Sequence, residues 1–228
     1  EGGASGTMHE MKHFQGIKES PDEAIERIDD IGGPSSHTNY PWGWAQCGNS
    51  PFRWYKTLTH EGGVHVPMVV HWPAGLGDAA GTKRNQFAYV ADIVPTIYEI
   101  LGITAPDTHR GIEQMPVTGH SFASVLDDAD APATNTLQYF EFGGNRALIV
   151  ERDGVWWKAV TRHLPGADFD TEPWELFDLT ADPSECHDLA DTEPDRLAEL
   201  IDLQFFDGMP LLRTTALHAI PSEEREDV

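Results

Sequence analysis

An α/β fold that gives way to a small antiparallel α+β subdomain is predicted by three features of this sequence. An apolar run at Met68-Val69-Val70 is followed, after a turn-rich stretch, by a helical stripe within Phe87–Leu101, the strand–turn–helix rhythm of an α/β sheet. Beyond an acidic, alanine- and proline-rich segment, four short β-type runs succeed one another. A last amphipathic segment, Asp195–Phe206, offers one helix to cover them. These features divide the chain into residues 1–126 (α/β), a linker at 127–136, the subdomain at 137–212 and a charged tail at 213–228 that is expected to be disordered.

Residues 1–16 are punctuated by glycines and read as a loop returning from a missing element. Ser20-Pro21-Asp22-Glu23 has the spacing of a capping box with proline in the first turn, so a short helix should start there. Ala24, Ile25, Ile28 and Ile31 would form its buried stripe, and Gly32-Gly33-Pro34 would stop it. Residues 34–50 carry Tyr40, Trp42 and Trp44 without periodicity, as expected of a long ordered loop that packs its own aromatics or lines a pocket.

Pro51–Pro73 (PFRWYKTLTHEGGVHVPMVVHWP) places Lys56 and Glu61 ahead of a Gly-Gly pair and the apolar run. Gly62-Gly63 reads as a turn that side chains would forbid, and Met68-Val69-Val70 as a buried strand. In Phe87–Leu101, Val90, Ile93, Val94, Ile97 and Leu101 share a face that should pack on the Met68–Trp72 strand. Asp92 is placed to cap that helix, Pro95 falls in its first turn and Gly102 ends it. A short helix is expected at Ser121–Leu126. The strand candidates are Leu137–Phe142, Ala147–Arg152, Val155–Thr161 and Trp174–Leu179, with Asp153-Gly154 as a hairpin signal.

The 228 residues are 39% hydrophobic, enough to fill a core, and contain no run of about 18 apolar residues that could span a membrane. The formal charge of -23 disfavours nucleic acid and anionic membranes as partners. An acidic surface of this kind suits a high-salt cytoplasm or an ordinary acidic enzyme; with no signal peptide in the chain, the cytoplasm is favoured. Two cysteines, Cys47 and Cys186, exclude a disulfide framework and a four-cysteine zinc site. Because the chain opens on EGGASGT, with neither methionine nor a capping signal, it is expected to be part of a longer protein.

Three motifs offer chemistry. His9-Glu10-Met11-Lys12-His13 matches the H-E-x-x-H pattern of zinc metalloproteases, but the glycines before it argue against the helix that pattern needs. Gly119-His120-Ser121-Phe122-Ala123 lies one residue from a nucleophile elbow, yet no strand precedes it, and Ser121 is better placed as a helix cap. His60, His65 and His71 lack metal-ligand spacing with one another. Lys56 differs, because Trp54 and Tyr55 beside it could present its ammonium in a semi-enclosed site to a sulfate or phosphate. A solvated lysine fits the same spacing.

The K-x-x-T-x-E-G-G-x-x-x-P block from Lys56 to Pro67 resembles that of type I sulfatases, the formylglycine-dependent arylsulfatases of the alkaline phosphatase superfamily. EMKHFQGI, ADIVPTIYEILGI, GHSF and WELFDLTADPSECHDLA agree with it, and the similarity runs from Glu1 to about Phe206. The resemblance implies the C-terminal part of an alkaline-phosphatase-like sulfatase fold, with Lys56 as the sulfate contact and charge stabiliser. It makes Glu61-Gly62-Gly63 a structural turn. By composition, the aromatic segment around Tyr40, Trp42 and Trp44 is a candidate alcohol or aryl subsite, with Trp44 the weaker substrate contact. The resemblance also implies calcium and formylglycine, whose residues are not in this chain. Asn49-Ser50-Pro51-Phe52-Arg53 keeps the proline and arginine of the [Cys/Ser]-x-Pro-x-Arg nucleophile motif, with asparagine in the nucleophile position.

The resemblance therefore implies a sulfuric ester hydrolase acting on a small sulfate ester, inactive without an N-terminal half. A phosphonate monoester or phosphodiester hydrolase and a non-catalytic binding domain remain as alternatives. A zinc metalloprotease is the remote one.

Overall fold

The computed structural model describes residue 16 and residues 20–31, 33–34, 41–164 and 166–205. The H-E-x-x-H match, the loop at 1–15, Tyr40 and the tail at 213–228 therefore lie outside the described residues. The chain forms two compact units, one of residues 1–66 with 139–228 and the other of residues 67–138.

The first unit is organised on a four-stranded antiparallel sheet in the order β3 (Leu137–Phe142), β4 (Asn145–Arg152), β5 (Val155–Thr161), β6 (Trp174–Asp178). All four strands lie where their β-type residues predict them. Asp153 and Gly154 join β4 to β5 with φ of 55° and 82°, the left-handed pair that a two-residue hairpin needs. Register sets the two faces. Lys158 pairs with Ile149 and Phe177, and Val160 with Ala147 and Glu175, so these six residues share one face. Trp157, Ala159, Leu148, Val150 and Leu176 share the other. Helix α6 (Pro194–Phe205) lies over β4, β5 and β6, with Leu200 fully buried and Arg196 5.4 Å above the Trp157 ring. Because both faces are covered, the central strands read as nearly continuous apolar runs.

The face that holds Lys158 is covered by the stretch from Arg53 to Glu61, with Arg53 over the Phe177 ring, Arg53 and His60 on Glu175, and Glu61 on Lys158. Helix α1 (Pro21–Glu26) begins with the expected capping box: the Ser20 N–H donates to Glu23 Oε2 at 2.8 Å, and the Glu23 N–H to Ser20 Oγ at 3.3 Å. Its expected stripe is not buried, since Ile25, Ile28 and Ile31 are all exposed. The aromatic segment is also not the loop expected: Trp42–Gly48 forms helix α2, with Pro41 supplying a pre-set φ of -64° before its first turn. Only Ala45 of α2 is buried. Helix α3 (Glu61–Val64) follows.

In the second unit, a 3₁₀ turn at Val90–Asp92 leads into helix α4 (Ile93–Leu101), which Gly102 ends at φ 62° as its sequence predicts. Asp92 does not cap α4. Its buried carboxylate accepts the N–H groups of Tyr89 (2.7 Å) and His120 (2.8 Å) instead. Thr96 completes this buried knot, donating to Asp92 O at 2.6 Å and accepting the Phe122 N–H at 3.0 Å. A two-residue ribbon, β1 (Thr108–His109) with β2 (Ile112–Glu113), and helix α5 (Ala123–Asp127) follow, and Ser121 Oγ accepts the Ala123 N–H at 3.2 Å.

Two expectations fail in this unit. Met68-Val69-Val70 is neither a strand nor buried, with Val69 91% exposed, and Val90, Val94, Ile97 and Leu101 also face outward. The physical reason is pairing. An extended segment becomes a strand only beside another strand that satisfies its N–H and C=O groups, and no described strand lies there.

Candidate functional site

The site candidate is the turn that carries Lys56. Leu58 N–H donates to Tyr55 O at 3.2 Å, closing a four-residue turn with Lys56 and Thr57 at its centre. Thr57 stands at φ 82°, where a type II turn requires the left-handed region and glycine is the usual occupant. Trp54, at the entrance, has φ 63°. Two left-handed non-glycine residues within four positions mark a backbone held in place by its surroundings. Lys56 is exposed and has no hydrogen-bond or ion-pair partner among the described residues.

Helix α3 lies beneath this turn. A Cβ on Gly62 would collide with the carbonyl oxygens of Arg53 and Trp54, and one on Gly63 with the carbonyl of Leu58. Neither glycine has positive φ, so the pair serves close backbone approach and not the turn conformation its composition suggests. Asn49 locks the same contact, its Nδ2 donating to Trp54 O (2.9 Å) and Gly62 O (2.8 Å). The asparagine in the nucleophile-like motif is thus a backbone clamp. Arg53 of that motif donates to Glu175 Oε1 and to Glu185 O, each at 3.0 Å.

Below α3, charge is buried. Lys158, with no solvent exposure, lies 2.8 Å from Glu61 Oε1 and 2.9 Å from Glu185 Oε1. Glu185 is as fully buried, and its other oxygen accepts the Glu61 N–H at 2.9 Å. His65 Nδ1 donates to Glu61 Oε2 at 2.8 Å and stacks on Phe52. Burial alone would raise the Glu61 carboxyl; the Lys158 charge and the hydrogen bonds from His65 and Lys158 overcome it and lower its pKa to about 2. Glu61 is therefore an ionised structural anchor, unsuited to proton transfer near neutral pH. Buried His60 donates from Nε2 to Glu175 Oε2 at 2.7 Å. Burial raises the Glu175 carboxyl, but the hydrogen bonds of His60 and Arg53 prevail and hold it below the usual range.

Trp44 is placed on α2 and is 66% exposed. Arg162 lies over the Trp54 ring at 5.1 Å, which brings a second cation to the turn that sequence reasoning did not single out. It also missed Lys158, Glu175, Glu185 and Asn145. A lysine inside the apolar run Val155–Thr161 was the available signal, because a charge in a doubly covered strand demands buried partners. Among the described residues no group of three His, Cys, Asp or Glu side chains is placed to hold a metal ion. Cys47 and Cys186 are free thiols.

The family model described as "N-sulphoglucosamine sulphohydrolase, C-terminal" matches residues 50–203, spanning the Lys56 turn and the whole sheet. The chain belongs to this sulfatase family. An uncharacterized sulfatase of Schizosaccharomyces pombe is 28% identical over 204 residues, covering 89% of this chain and 35% of the relative. Arylsulfatase K of Xenopus laevis is 26% identical over 65% of this chain and 26% of its own length. Choline-sulfatase of Rhizobium meliloti is 27% identical over 60% of this chain and 24% of its own. The chain thus spans between about a quarter and a third of these relatives. A solved structure titled "Crystal structure of Ps i-CgsB" has a TM-score of 0.48 and 20% identity, covering 78% of this chain and 38% of that one.

Sulfatases as a family hydrolyse sulfuric esters with formylglycine and calcium. The described residues fit neither group. Asn49 occupies the nucleophile-like position with its amide committed to two carbonyls, and the carboxylates near Lys56 are engaged by Lys158, Arg53 and histidines.

Proposed function

We propose that this chain is the sulfate-contacting C-terminal part of a sulfuric ester hydrolase, with Lys56 as the contact. The supporting observation is an ammonium, unpaired among the described residues, on a turn whose backbone is held from below by Asn49, Gly62, Gly63 and a buried ion network. Such an ammonium stabilises negative charge on sulfate oxygens at little reorganisation cost, because the backbone around it is already ordered. Nucleophile and metal would come from the part of the relatives this chain does not span. The exposed apolar residues of the second unit, Met68, Val69 and Val70 with Val90, Val94, Ile97 and Leu101 on and before α4, are the surface that this N-terminal part would cover.

The chain alone is expected to turn over neither aryl sulfate nor aryl phosphodiester. Joined to an N-terminal sulfatase half, it is expected to favour the sulfate ester. Turnover by the isolated chain would refute the division of labour, and preference of the joined protein for the phosphodiester would replace sulfatase by phosphodiesterase.

A further inference from the structure

Asn49, Gly62 and Gly63 fix the backbone on either side of the Lys56 turn, but none of them bonds Thr57, the strained residue within it. Thr57 is β-branched and stands at φ 82°, which costs free energy in a residue of that shape. Left to itself this turn would relax toward negative φ at Thr57 and rotate the Lys56–Thr57 peptide. Something must oppose that rotation.

One side chain from the sheet does so. Asn145, the first residue of β4, is 9% exposed and donates from Nδ2 to Thr57 O at 3.0 Å. The same Nδ2 donates to Phe142 O at 3.0 Å, and Oδ1 accepts the His163 N–H at 3.1 Å. Every hydrogen-bonding group of the amide is committed, two of them to the ends of the sheet and one to the turn. The amide therefore cannot rotate to follow Thr57, and the Thr57 carbonyl must stay where Asn145 points. The nearby Gly144 has φ 89°, which places β4 so that Asn145 reaches back across 88 residues of chain.

We infer that Asn145 is a positioning residue for Lys56: it holds the Thr57 carbonyl, and thereby the ammonium one residue earlier, in the geometry that meets the sulfate. The antiparallel sheet acts as part of the active-site scaffold, and its strand β4 sets the position of the cation. This inference rests on the sulfate reading of Lys56 for its functional consequence and stands without it for its structural one.

The two parts are tested separately. In this chain, the Thr57 coupling between the Lys56 carbonyl carbon and Thr57 Hα, measured by NMR, is large at positive φ and small at negative φ, and so reports the change. Asn145→Ala should move that coupling toward the value of negative φ and shift the Lys56 amide, while β5 and β6 amides stay in place. Asn145→Ala combined with Thr57→Gly should restore the Lys56 amide position, because glycine accepts the left-handed region without a clamp. A purely structural role for Asn145 would not be rescued by glycine at 57. Should Asn145→Ala fail to fold, Asn145→Ser, which keeps a hydroxyl but is too short for all three bonds, takes its place. An unchanged Thr57 coupling, or no rescue by Thr57→Gly, overturns the inference.

In this chain joined to an N-terminal sulfatase half, Asn145→Ala should lower kcat/KM for an aryl sulfate by about tenfold to a hundredfold through misplacement alone. Thr57→Gly in the same background should recover most of it. If Lys56→Ala leaves kcat/KM unchanged while Asn145→Ala still moves the Thr57 coupling, the sulfate reading fails and the positioning of the turn stands.

Discussion

Replacing Lys158 by methionine tests the buried network that supports the Lys56 turn. Methionine keeps an unbranched, adaptable side chain and removes the ammonium, leaving Glu61 and Glu185 facing each other without a counter-charge in a site with almost no solvent exposure. Removing one partner of a buried ion pair costs about 3–5 kcal/mol, because the remaining charge stays desolvated. That is a large share of the ~5–15 kcal/mol that stabilises a typical domain. Urea unfolding followed by the fluorescence of Trp156 and Trp157 on β5 would measure it. The loss should be greatest at about pH 7 and shrink at about pH 4, where Glu61, held at about 2 in the parent by Lys158 and its hydrogen bonds, takes up a proton once the lysine is gone. A loss below about 1 kcal/mol that does not change with pH would refute the view that this lysine neutralises two buried carboxylates.

Other consequences can be measured alongside. Gly63→Ala drives a methyl group into the Leu58 carbonyl and should cost at least about 1–3 kcal/mol by the same urea assay, with a matching change at Lys56 in NMR spectra. Glu61 is depressed from 4.5 to about 2, so its contribution is present above its ordinary pKa and lost as pH falls toward 2. Acid titration should show up to about 3 kcal/mol of stability disappearing over that window, and Glu61→Gln should flatten it. Gly102→Ala, at φ 62° after α4, should destabilise the second unit by about 1 kcal/mol, read as a lower thermal midpoint.

How much was legible in the sequence depended on whether a residue's partners lie near it in the chain. The strands of the sheet, the Asp153-Gly154 hairpin and α6 could be read from local alternation, turn chemistry and a helical stripe. Ser20 and Glu23 met in the capping box because a helix start is built from four adjacent residues. Met68-Val69-Val70 failed as a strand because a strand needs a neighbour, which no local pattern supplies. The same holds for α4, whose apolar face is plain in the sequence but uncovered among the described residues. At the site, Lys56 was conspicuous as a lone cation in an aromatic turn. Its supports were not, since Asn145, Lys158, Glu175 and Glu185 reach it across 88 to 132 residues of chain. The Gly-Gly pair was correctly singled out for the wrong physical reason: carbonyl oxygens press against both glycines, while their φ values are ordinary.

The proposed contact of the Lys56 ammonium with sulfate is tested most directly by Lys56→Ala in this chain joined to an N-terminal sulfatase half. Lys56 is exposed and has no partner among the described residues, so the unfolding midpoint should not move. Loss of one pre-organised charge at the reacting group should lower kcat for an aryl sulfate by about a hundredfold to a thousandfold. An unchanged kcat/KM at an unchanged midpoint would contradict the assignment of Lys56 to the sulfate.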